Sequence, residues 1–158
     1  MPTLLENKQA RWRYRILETW EAGIVLSGQE VKSLRGGHGD LRSAYVTVRP
    51  LSGPTKRLRL AAMLVNASIP PYAKAGKLPS YDPRRARRLL FHRGELMKLV
   101  GRLETAGLTM VPLRVYTLNR RVKVLVGLAT GKTETDKRET VRRRDLDREA
   151  RRTMLRPR

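Results

Sequence analysis

The chain has 158 residues, room for one domain with a core and a tail, and carries 35 Lys and Arg against 14 Asp and Glu, a net charge of +21. It has no cysteine and two histidines, which excludes disulfides, thiolate metal sites and cysteine nucleophiles and argues against a histidine-rich metal centre. No run of about 18 apolar residues occurs, and residues 1–6 lack the flank and core of a signal peptide, so a cytoplasmic protein with no membrane span is expected. A surface this basic calls for an anionic partner. Nucleic acid is the first choice and a membrane surface the second. A single Phe leaves little for base stacking in the manner of an RNA-recognition motif.

In chain order, residues 4–10 read as a short, helix-prone lead-in. Residues 11–16 alternate, with Arg11, Arg13 and Arg15 on one side and Trp12, Tyr14 and Ile16 on the other, which predicts a half-buried strand. The strand continues through 17–20, and Glu21-Ala22-Gly23 reads as a turn or bulge. Ile24-Val25-Leu26 is a short apolar run. Ser27 and Glu30 then have capping-box spacing, which predicts a short helix ending at Gly36-Gly37. Val31 and Leu34 share its inner face, and Lys32 and Arg35 a neighbouring outer one. That pattern suits a capped connector with a solvated face as well as a cationic binding surface.

Residues 44–48 and 58–65 read as a hairpin with Lys56, Arg57 and Arg59 near its tip. Asp82-Pro83 predicts the start of a helix over 84–91, although four arginines in its first turns oppose the helix dipole. Leu96, Leu99, Val100 and Leu103 continue at helical spacing to Gly107. Residues 109–116 read as a strand with Pro112 at an edge or bulge. Asn119-Arg120-Arg121 is a turn, and Val122, Val124, Val126 and Leu128 alternate through the last strand. The sum is mainly β with flanking helices, about six antiparallel strands in a small closed or partly open barrel.

Composition breaks at Gly131. Residues 131–158 hold 11 Lys and Arg against 6 Asp and Glu, a net +5, which leaves +16 for residues 1–130. Few bulky apolar residues remain there, so two units are expected: a barrel over 1–130 and a basic tail over 131–158. Asp136 and Glu139 form a capping-box pair, and Leu146, Ala150 and Met154 recur every four residues. The tail is expected to be disordered when free and helical when bound, with a simple solvated tail as the alternative.

No catalytic constellation assembles. His38 and His92 lack a spaced carboxylate or nucleophile, and Gly131-Lys132-Thr133 lacks the upstream glycine of a phosphate loop. A binding protein without cofactor or metal is expected, not an enzyme. Glu21 stands in a basic stretch, and two readings remain open for it: an ion pair with a strand arginine, or an acceptor for a base amino group or ribose hydroxyl.

Several blocks resemble the SmpB family, the SsrA-binding proteins of bacteria. They are Asn7-Lys8-Gln9-Ala10-Arg11, Glu21-Ala22-Gly23-Ile24 and Gly28-Gln29-Glu30-Val31-Lys32-Ser33-Leu34-Arg35, then Arg87-Arg88-Leu89-Leu90, Val111-Pro112-Leu113, Val122-Lys123-Val124 and Asp136-Lys137-Arg138. The resemblance implies an OB-like barrel with flanking helices and an unstructured tail. It implies binding to the tRNA-like domain of transfer-messenger RNA and delivery, with elongation factor Tu, to stalled ribosomes for trans-translation. The body would stand at the small-subunit decoding site and the tail in the empty mRNA channel. A monomer is expected.

By matched position, Asn7, Glu21 and Leu90 fall where the family contacts or shapes its RNA face, and Glu30 and Ser33 belong to the matched helix. Charge adds Lys8, Arg11, Lys32 and Arg35. In the tail, Gly131, Lys132, Asp136, Lys137, Arg138, Arg142, Arg143, Arg144 and Met154 are the expected ribosome contacts. The chain departs from the family at Trp12-Arg13, Ser68, the longer 49–60 hairpin, Thr135, Leu146 and Thr153. The tail is therefore expected to hold its channel more by charge than by packing.

Overall fold

The computed structural model describes residues 2–51, 59–76, 78–105, 107–131 and 134–155, with the side chains of 134–136 outside that set. Lys56, Arg57, Lys132 and the side chains of Thr135 and Asp136 thus lie outside the described residues. Among the described residues there are seven strands: β1 (Thr3–Glu6), β2 (Tyr14–Ile24), β3 (Tyr45–Leu51), β4 (Arg59–Val65), β5 (Arg87–Leu90), β6 (Leu108–Leu118) and β7 (Arg121–Gly131). Four α-helices accompany them: α1 (Ala10–Arg13), α2 (Gly28–Arg35), α3 (Arg93–Leu103) and α4 (Glu134–Leu155). The strands run in the order β6-β3-β4-β5-β2-β7, and β7 pairs back onto β6 to close an OB-like ring. β1 lies along the half of β6 that β3 leaves free. Every pairing is antiparallel.

The alternation in β7 carries the barrel core. Val124, Val126 and Leu128 are fully buried and meet Leu34 of α2, Leu64 of β4 and Leu99 of α3 in one cluster. A second, smaller cluster lies on the outer face of β6 and β7. There Val111, Leu113 and Ala129 are covered by Ala10 of α1. Pro112 sits at a register shift of β6, as its missing N–H requires. Asn7 satisfies two buried carbonyls, one of them at this shift: its side-chain amide donates to Pro112 O and Leu41 O, each at 3.0 Å. Its Oδ1 accepts from Ala10 N at 3.2 Å, which starts α1.

Four expectations are corrected. Residues 3–6 form β1 rather than a helical lead-in, because β6 offers a free edge and Leu5 fits the core. Residues 10–13 form a helical turn rather than the head of a strand, because Asn7 Oδ1 holds the Ala10 N–H and Ala10 is buried. Glu21, Ala22 and Gly23 remain in β2, since Ala22 faces Val124 and Gly23 faces Leu90. A Cβ on Gly23 would stand 3.3 Å from the Leu90 Cβ, so glycine lets β5 approach β2.

The largest correction is β5, where a helix over 84–91 was expected. Asp82 forms a local turn, accepting Arg84 N–H on Oδ1 at 2.9 Å. The chain is then extended, with Arg87 and Leu89 inward and Arg88 and Leu90 outward. In an extended chain Arg85 and Arg87 can point the same way, whereas on a helix residues two apart diverge. Both reach Glu30, which is fully buried. Arg85 grips it with two bonds of 2.7 Å and Arg87 Nε donates to it at 2.9 Å. The capping box forms as the spacing predicts: Ser27 N donates to Glu30 Oε2 at 2.9 Å and Glu30 N to Ser27 Oγ at 3.3 Å. α2 ends at Arg35, and Gly37, with φ +79°, makes the left-handed turn beyond it.

Burial pushes the Glu30 carboxyl up. The hydrogen bonds from Arg85 and Ser27 and the charge of Arg87 outweigh that and hold it below its ordinary value of 4.5. The native carboxylate therefore binds its proton less readily than the unfolded one. Its stabilisation is complete above about pH 4.5 and is lost as pH falls through the lower native value. Glu30→Ala leaves the buried Arg87 without its counter-charge and should lower the unfolding free energy by about 3–5 kcal/mol in urea melts. The acid limb of the wild-type stability curve below that pH should be shallower in the variant.

Candidate nucleic-acid interface

β5 alternates, so Leu90 points outward and is 50% exposed, which is unusual for a leucine. It stands over Gly23 at the floor of an open cleft. Glu21 of β2, Arg35 of α2 and Lys123 of β7 line the same cleft, with Arg120 from the β6–β7 turn and Arg121 at the start of β7. Glu21 is held on both oxygens. The Tyr116 hydroxyl donates to Oε2, and Lys123 Nζ lies 3.9 Å from Oε1. Burial, together with the bond to Glu21 and its charge, pushes the Tyr116 hydroxyl up to about 12, so it remains a donor at physiological pH. The Glu21 side chain is still 42% exposed, so its carboxylate is oriented and reachable. Its ion-pair partner is Lys123, not a strand arginine.

The cations at the cleft are set by backbone geometry. Asn119 and Arg120 are the two central residues of the hairpin and both take positive φ, 49° and 63°. Such turns favour Gly at the second position, and an L-residue there is strained by about 1–2 kcal/mol. An arginine in this place points to function.

The expected residues divide. Glu21, Arg35 and Leu90 come together. Lys8 and Arg11 line a separate groove with Arg114 of β6 and Arg144 of α4. Lys32 lies over the Tyr72 ring, 5.6 Å from its centroid. Asn7, Glu30 and Ser33 are buried, and Asn7 and Glu30 support the surface from beneath through their internal bonds. Lys123, Arg120 and Arg121 were missed. The signal for Arg120 was an Asn-Arg turn where Asn-Gly is cheaper, and for Lys123 an outward position in an otherwise apolar strand.

The tail forms the single helix α4, with Arg138, Arg142, Arg143 and Met154 exposed and Lys137 half-buried. Gly131 is the exposed last residue of β7. Arg144 stacks on Trp12 of α1, 5.6 Å from the ring centroid. Among the described residues no group of His, Cys, Asp and Glu could hold a metal, and no helix is long and apolar enough to cross a membrane.

The SmpB protein family model matches residues 4–156, nearly the whole chain. The chain belongs to the SmpB family. An SsrA-binding protein of Gloeothece citriformis is 47% identical over 153 residues, covering 97% of this chain and 93% of the relative. One from Trichodesmium erythraeum is 49% identical over 140 residues, covering 89% and 84%. A solved chain from "tmRNA-SmpB: a journey to the center of the bacterial ribosome" superposes with a TM-score of 0.63 at 46% identity, covering 90% of this chain and 96% of that one.

Arg120→Gly separates stability from binding in this SmpB-family chain. It relieves the left-handed arginine and should raise the unfolding free energy by about 1 kcal/mol in urea melts. It also removes a cation from the cleft and should weaken RNA binding at fixed salt.

Proposed function

We propose that this chain binds transfer-messenger RNA at its tRNA-like domain and brings it to stalled ribosomes for trans-translation. The observation that carries this reading is the single cleft gathering Glu21, Arg35, Leu90 and Lys123, within a chain that matches the family from 4 to 156. Arg35, Arg120 and Arg121 are suited to backbone phosphates, whose neutralisation releases counterions. Glu21, oriented by Tyr116, is suited to accept from a base amino group or ribose hydroxyl. Leu90 offers an apolar contact to an exposed base or sugar. The chain acts by binding, as a monomer in the cytoplasm, with elongation factor Tu in the delivery complex.

The tail is proposed to enter the empty mRNA channel, with Lys132, Lys137, Arg138, Arg142, Arg143 and Arg144 facing ribosomal RNA. Leu146, Met154 and Leu155 of α4 are 58%, 85% and 82% exposed. A helix so little supported by packing has marginal stability alone, which suits a tail that orders on binding.

The deciding experiment is a binding titration near physiological salt. It compares the tRNA-like domain of transfer-messenger RNA with an elongator tRNA of equal length. The reading expects a clear preference for the first, and equal affinities would reduce the interaction to general charge. Deleting residues 131–158 should leave that binding nearly unchanged and abolish tagging on stalled ribosomes. Full tagging by the truncated chain would overturn the role given to the tail.

A further inference from the structure

Phe91, the one phenylalanine of the chain, is a wall shared by two clefts. The first is the interface described above. The second opens between the β3–β4 hairpin and the start of α3, with a cavity volume of about 590 Å³. That lies within the about 300–1,000 Å³ of small-ligand sites. Leu60, Phe91 and Met97 supply its apolar surface, and Arg59, Arg88 and Arg93 its charge. Among the described residues no carboxylate lines it, whereas Glu21 and Glu95 line the first.

Local structure sets this arrangement. The alternation of β5 sends Arg88 and Leu90 outward, Arg88 to the second cleft and Leu90 to the first. Arg93 and Met97 are four apart on α3 and so share a face. Met97 is 59% exposed, a large apolar side chain with little covering it. Among the described residues none of the three arginines is in an ion pair. Three unpaired cations around an apolar surface repel one another and favour an anionic occupant with a flat apolar face. A nucleobase between two phosphates has both properties. Guanidinium groups pair phosphates with two bonds and stack on bases, and an aromatic ring or a thioether packs on a base face.

We propose that this second cleft binds an unpaired nucleobase of single-stranded or looped RNA, with the flanking phosphates held by Arg59, Arg88 and Arg93. The inference takes from the RNA-binding reading only the kind of partner, and adds a contact apart from the Glu21 cleft.

The test uses the full chain and fluorescent hexa-adenylate, with an abasic hexanucleotide of equal charge as the control. Hexa-adenylate should bind about tenfold more tightly than the abasic chain. Met97→Glu, on an exposed helix position, should lower hexa-adenylate affinity about tenfold or more and leave the circular dichroism spectrum unchanged. Equal binding of the abasic chain, or wild-type affinity in Met97→Glu, overturns the proposal. Failure of hexa-adenylate to bind the wild type also overturns it, and leaves the cleft to an acidic protein surface. Glu21→Ala, measured against the tRNA-like domain, keeps the two readings apart. If that variant binds the domain normally while Met97→Glu loses hexa-adenylate, the Glu21 interface fails and the second cleft stands.

Discussion

One buried carboxylate, Glu30, ties together segments that lie far apart in sequence. It closes the capping box of α2 through Ser27 and receives Arg85 and Arg87 from a segment more than 50 residues on. The Arg87 guanidinium is itself fully buried and also donates to Ala67 O at 2.8 Å and Pro83 O at 2.9 Å. The cluster thereby anchors α2, the connection after β4 and the entry to β5. Burying such a pair carries a large desolvation cost, and an apolar replacement can be as stable. What the pair provides here is position. With Arg85 and Arg87 drawn to one carboxylate, the chain must be extended at β5, and that sends Arg88 and Leu90 to the surface.

The arrangement of the Glu21 cleft follows from this frame. Gly23 allows β5 to lie close to β2, so Leu90 and Glu21 meet in one cleft. Tyr116, buried in β6 on the barrel wall, fixes one oxygen of Glu21, while Lys123 neighbours the other. Glu21, held in place within a cationic cleft, can discriminate among hydrogen-bond donors. Cations placed on phosphates read only the backbone. The protein thus combines a long-range attraction from its net charge of +21 with one oriented acceptor.

Much of the barrel was legible along the chain. The β7 alternation, the β3–β4 hairpin, the capping box of α2, the spacing of α3 and the bulge at Pro112 all rest on local rules, and the structure contains each of them. The misplaced elements share a cause. Arg84 to Leu90 is helix-prone by composition, yet a distant carboxylate and two free strand edges make it a strand. Residues 11–13 alternate like a strand, yet the bond from Ala10 N–H to Asn7 and the burial of Ala10 turn them into a helix. Glu21, Arg35 and Leu90 could be picked out one by one. Their meeting, and the addition of Lys123 and Arg120, could not.

By itself the sequence determined the strongly basic balance, the mainly β class with the strand count to within one, and the family. Those depend on net charge, periodicity and short-range capping, which neighbouring residues decide. Only the tertiary structure decided which cations share a cleft and which polar residues are buried supports. Asn7, Glu30 and Ser33 look like surface groups in a polar stretch, and all three are inside. The physical reason is that burial of a polar group depends on partners supplied from elsewhere in the chain, here Leu41, Pro112, Arg85 and Arg87 for Asn7 and Glu30, and no local pattern encodes when they will arrive.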